Sequence, residues 1–204
     1  MRNSMIACRV FEDALDYLQI ERRFANWRIR YLPARLHLRP DELKQRLSDE
    51  ISAARHRGGA ACCLYGRCFP DIDHHLAQQD VPRVPCAHCF EIFLGFDRYR
   101  RLTEEETGTY FLERQLIVHF DEYCWEPLEL HDPELRGWYF EHYRQMIYIR
   151  QPRDPDLAAP AEALAKRVGL PLRIEDADYR DLESALAETI KGCKSALPPG
   201  QTLR

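Results

Sequence analysis

Short apolar segments alternate along this chain with stretches of helical period, and that alternation is what most limits the folds open to it. Met5–Phe11 reads as a buried first strand, and Asp13–Ile20 then places Ala14, Leu15 and Leu18 on one helical face. Trp27–Leu32 alternates Trp27, Ile29 and Tyr31 with Arg28 and Arg30, the period of a strand with one wet face. Pro40 with Asp41 and Glu42 opens a helix, because proline suits its first turn and acids suit its positive end. Leu43, Leu47, Ile51 and Ala54 keep helical spacing until Gly58-Gly59. Ala60–Tyr65 is apolar throughout and predicts a central strand. Asp71–Gln79 follows as a short helix, and Val81–Val84, fenced by Pro82 and Pro85, as a short fourth strand near an edge.

Cys89–Leu102 reads as one helix, and Thr109–Glu122 and Asp132–Tyr143 as two aromatic-rich helical segments. Met146–Arg150, Asp156–Val168, Leu170–Glu175 and Tyr179–Lys191 then resume the order strand, helix, strand, helix. Strands alternating with helices in this way build βαβ units around a parallel sheet. The expected architecture is a single three-layer α/β domain over 1–193, a mostly parallel, doubly wound sheet with a helical insertion at 103–144. Residues 194–204, with Pro198-Pro199-Gly200, read as a tail. Tyr110, Phe111, Trp125, Trp138, Tyr139, Phe140 and Tyr143 in the insertion read as core, with a lid or a homodimer face as the alternatives.

Composition narrows the partners. The 204 residues carry 29 Lys+Arg against 33 Asp+Glu, a net charge of −4, so nothing in the balance calls for nucleic acid or a bilayer. No apolar run approaches the ~18 residues of a membrane span. Met1–Cys8 is similar to the end of a lipoprotein signal but has no apolar run before it, so a cytoplasmic location is expected. There the eight cysteines would be reduced thiols, which in such proteins serve metal or redox chemistry.

Ligands of open parallel sheets bind at the carboxyl ends of the strands. On the predicted sheet that rim receives Cys8 after the first strand, His37 after the second and Cys68 after the third. Cys86, His88 and Cys89 follow the fourth. Thiolate and imidazole are zinc donors, so the expected site is zinc held by Cys8, His37, Cys68 and Cys89, with Cys86 or His88 as substitutes. An iron–sulfur cluster is the alternative that cysteine ligation allows. Cys86-x-x-Cys89 also fits a thiol redox pair. Arg67 and Arg83, with Arg9 and Arg35, lie on or near the same loops and could hold an anionic cofactor or be engaged in salt bridges. Cys62 and Cys63 read as core, His74-His75 as a wet helix start, and Cys124 and Cys193 as structural or incidental. No GxGxxG, Walker A, GxSxG or HExxH pattern occurs.

Ile6-Ala7-Cys8, Leu36-His37-Leu38-Arg39-Pro40, Tyr65-Gly66-Arg67-Cys68, Pro82-Arg83-Val84 leading to Cys89 and Gly95, and Gly108-Thr109-Tyr110 occur in that order. As an ordered set they resemble the domain of unknown function 1638 family of bacteria and archaea, over nearly the whole chain. The family pattern has Arg-x-His-Asp-Cys before the fourth helix. Here Cys89 matches, His88 is displaced and Cys86 is extra. The resemblance implies no established activity, but members are often encoded near corrinoid-dependent methyltransferases. Taken with the metal donors expected at the rim, that hint fits a metal-dependent transferase acting in thiol- or corrinoid-linked alkyl transfer, with a small molecule or a corrinoid protein as partner; metal-assisted hydrolysis is the alternative chemistry. A non-catalytic carrier of a metal, a cluster or a corrinoid is the alternative.

Overall fold

The computed structural model describes residues 2–193, so the tail expected at 194–204 lies outside the described residues. The fold is α/β, with every strand pairing parallel. The strands form two three-stranded sheets, not the one continuous sheet expected. The chain divides accordingly into two compact units. One runs up to Cys89 and takes in the segment from Leu182 onward; the other is Phe90–Asp181.

The first unit has the sheet order β2-β1-β3, with β1 at Asn3–Cys8, β2 at Trp27–Leu32 and β3 at Ala61–Leu64. Helices α1 (Glu12–Tyr17) and α2 (Ile20–Arg23) follow β1, α3 (Pro40–His56) follows β2, and α4 (Ile72–Ala77) follows β3. β1 stops at Cys8, where a 3-10 turn over Arg9–Phe11 takes the last residues assigned to the strand from sequence. The α3 stripe Leu43, Leu47, Ile51 and Ala54 is buried as its spacing predicts. It packs with Ile6, Leu32, Cys63 and Tyr65 on one face of the sheet. Each such large aliphatic side chain contributes about 1.5–3 kcal/mol by leaving water. Met5, Ala7, Cys62 and Leu64 face the other way and are equally buried, so both faces of this sheet are covered.

Val81–Val84 does not become a strand. It makes a single parallel bridge, Arg83 beside Cys63, with Cys63 N–H donating to Pro82 O and Val84 N–H to Cys63 O. Pro82 and Pro85 lack the amide hydrogens that a longer ladder would need.

In the second unit the order is β4-β5-β6, from Thr109–Leu112, Gln145–Arg150 and Leu172–Asp176. Thr109–Leu112 was expected to be helical, but all four residues are buried and pair with Gln145–Tyr148. β-Branched and aromatic side chains suit a covered strand, and burial on both faces erases the period-two signal. The helix expected over Cys89–Leu102 is two helices, α5 (Cys89–Leu94) and α6 (Phe96–Glu105). They break at Gly95, whose φ of +88° only glycine adopts readily, and Asp181 accepts the Phe96 N–H at 2.7 Å. Helices α7 (Arg114–Val118), α8 (Pro133–Phe140) and α9 (Ala158–Val168) complete the unit, and α10 (Arg180–Gly192) closes the described chain.

The aromatics of the expected insertion are mostly core. Tyr110 meets Tyr143 at 5.1 Å and Phe140 at 5.6 Å between ring centres, in tilted and edge-on pairs that the ring quadrupoles favour. Trp138 and Tyr139 are the exceptions, at 64% and 37% exposure. No described helix is long and apolar enough to cross a membrane.

Candidate functional site at the carboxyl rim of the first sheet

β1 and β3 run parallel, so their carboxyl ends emerge side by side. Cys8 ends β1 on the same face as Ile6, and Tyr65 follows β3 on the same face as Cys63. Cys8 and Cys68 are half-buried and pack against that core. Tyr65 is 2% exposed, and its hydroxyl has no hydrogen-bond partner among the described residues. Burial first, then the proximity of Cys8, Cys63 and Cys68, drives its acidity well below that of an ordinary phenol. The group therefore stays protonated, a buried donor in the neighbourhood of thiols. Burial also pushes the Cys68 thiol up, against the opposing effects of a Gly66 backbone hydrogen bond and the Arg83 charge. Cys68 lines a shallow surface depression with Arg67, Phe69, Pro70 and His74.

The loop that carries Tyr65 and Cys68 is held from behind. Arg83 donates to the carbonyls of Tyr65, Val84 and Cys86 at 2.6, 3.1 and 2.7 Å, and to Asp73 at 2.6 Å. The Cys86 thiol donates to the Tyr65 carbonyl at 3.5 Å, and Arg67 N–H to the Ala87 carbonyl at 2.8 Å. A Cβ on Gly66 would stand 2.8 Å from that Ala87 oxygen, so only glycine lets the two loops approach.

These contacts assign the residues singled out from sequence. Arg83, with 8% of its side chain exposed, is a clamp on backbone carbonyls, and Arg67 is an exposed partner of Asp73 at 3.4 Å. Cys86 is buried, with its thiol donating to the Tyr65 carbonyl. His37 sits exposed in the turn Ala34–Leu38, and its Nδ1–H donates to Ala34 O at 2.7 Å. That bond places the ring's lone pair on Nε2. His88 is exposed and Cys89 half-buried at the first residue of α5. Among the described residues, no three Cys, His, Asp or Glu side chains are grouped to hold a metal ion. The rim brings Cys8 and Cys68 onto the core cluster that contains Tyr65; among the described residues it does not assemble the four-donor shell with His37 and Cys89.

Sequence reasoning passed over Tyr65 as the end of a strand. The available signal was Cys63-x-Tyr65, two residues of one face running out at the rim. It also passed over Glu113, which follows β4 in the second unit at 5% exposure. Its carboxylate accepts the N–H groups of Gln115 and Leu116, both at 2.8 Å, and caps α7. Burial pushes its pKa up to about 7; those two bonds and Arg114 oppose the shift, and Asp154 adds to it. Asp154 in turn accepts the Tyr148 hydroxyl at 2.6 Å.

Residues 31–186 match the model of a family described as "Protein of unknown function (DUF1638)". Neither the curated proteins nor the solved structures contain a match to the chain.

Proposed function

The chain belongs to the DUF1638 family of proteins of unknown function, and from its own residues we propose that the rim of its first sheet binds a thiophilic metal ion, zinc before others, through Cys8 and Cys68. The observation that carries this reading is the Tyr65 hydroxyl, buried without a partner among the described residues and near two half-buried thiols that pack on the same core. An unpaired buried hydroxyl costs on the order of 1–3 kcal/mol, a cost that a bound group accepting its proton would remove.

The thiol chemistry supports a cation. A thiol raised by burial stays neutral near pH 7, and a divalent ion displaces its proton because the metal–thiolate bond replaces lost solvation. Two protein thiolates leave coordination positions for solvent or substrate, one more than the single open position of a three-ligand catalytic zinc site. A substrate thiolate in such a position would be an alkyl acceptor, with the Tyr65 O–H donating to the incoming group. The redox reading of Cys86 and Cys89 has less support, because Cys86 is buried and its thiol is turned to a carbonyl.

Elemental analysis of anaerobically purified protein tests the proposal. Zinc stoichiometric with protein is expected, and its loss in Cys8→Ser/Cys68→Ser with an unchanged circular dichroism spectrum. Metal-free wild-type protein that also fails to take up added zinc would overturn it, as would full retention in the double variant.

A further inference from the structure

Cys62 and Cys193 are far apart in the chain, and within the first unit the fold sets the Cys193 sulfur 3.8 Å from the carbonyl oxygen of Ala61, the residue before Cys62 in β3. Cys62 lies in β3, opposite Met5 of β1, on the face turned away from α3, and is 1% exposed. Cys193 directly follows α10 and is half-buried. Its backbone N–H donates to Ile190 O at 3.2 Å, which continues the helical turn and fixes where its side chain starts. Its thiol is placed to donate to the Thr189 carbonyl at 3.3 Å as well as to that of Ala61, and the Cys62 thiol is its side-chain neighbour. One thiol is sealed in the core and the other belongs to a half-buried residue. That asymmetry suits a reactive cysteine and the cysteine that resolves it.

We propose that Cys62 and Cys193 form a reversible disulfide that ties the end of α10 to β3, with a peroxide as oxidant. The sulfur of Cys193, as thiolate, attacks one peroxide oxygen. The O–O bond breaks, the leaving oxygen takes a proton to give water, and Cys193 becomes a sulfenic acid. Cys62 then attacks that sulfur, its thiol proton leaves with the sulfenic hydroxyl as a second water, and the S–S bond closes. Two thiols are oxidised and one peroxide is reduced, so the balance is complete.

The local chemistry favours this order of events. The hydrogen bond from Cys62 lowers the pKa of Cys193, opposing the effect of its burial, whereas burial drives Cys62 up. The half-buried cysteine is thus the nucleophile, and the buried one keeps its proton until a neighbouring sulfenic acid draws it off.

The test is hydrogen peroxide treatment of the full-length protein, alkylation of residual thiols, proteolysis without reductant and mass spectrometry of linked peptides. The expected product is a peptide pair joining Cys62 to Cys193, released by dithiothreitol, absent in Cys193→Ser and retained in Cys63→Ser. Retention in Cys63→Ser separates Cys62 from its neighbour. Wild-type protein in which peroxide leaves both cysteines open to alkylation, or links either of them to a different cysteine, overturns the proposal.

Discussion

Replacing Glu113 by glutamine isolates the cost of a charge that the second unit buries. Glu113 is 5% exposed, and its folded pKa of about 7 stands above the ordinary 4.5, mainly because burial disfavours the carboxylate. A raised folded pKa means that the native state holds the proton more tightly than the unfolded chain does. The stabilisation is therefore complete below the unfolded value of 4.5 and is lost as pH rises through about 7. The whole span corresponds to roughly 3 kcal/mol, most of it falling between about pH 5 and about pH 8. Glu113→Gln carries no titrating group, and its amide oxygen can still accept from the start of α7. Any fixed loss of capping shifts the variant equally at all pH values. Urea unfolding of both proteins, followed by the fluorescence of Trp125 and Trp138 in the same unit, should show the variant gaining roughly 2–3 kcal/mol on wild type from about pH 5 to about pH 8. A stability difference that stays constant over that range would refute the reasoning.

Other perturbations address the loops behind the rim. Gly66→Ala sets a Cβ 2.8 Å from the Ala87 oxygen. It should cost about 1–3 kcal/mol in urea unfolding and leave α-helical circular dichroism intact. Arg83→Met removes the clamp on the Tyr65, Val84 and Cys86 carbonyls while keeping the apolar stem. It should destabilise by about 2–4 kcal/mol, with faster amide exchange at Cys63 and Val84, whose hydrogen bonds form the bridge it braces.

Local patterns carried the first unit far. The α3 stripe, the proline at its start and the acids of its first turn are all contained within one segment, and β2 was bounded by its own alternation. The rim positions of Cys8 and Cys68 followed once the strands were read as parallel, since parallel strands share a carboxyl edge. β4 was not legible: a strand covered on both faces has no period to show, and Thr-Tyr-Phe-Leu fits a helix as readily. The break at Gly95 was hidden for a related reason, because one glycine in a helical stretch declares a break only through its φ.

Segment by segment, residue order was enough to specify the α/β class, the parallel direction of the strands and two of the thiols at the rim, because propensity and periodicity act over a few neighbouring residues. Which strands share a sheet, that Tyr65 ends buried with a hydroxyl unpartnered among the described residues, and that Cys193 reaches the strand that carries Cys62 all depend on packing between segments distant in the chain. Those outcomes follow from how close-packed faces fit one another, and no local window contains that information.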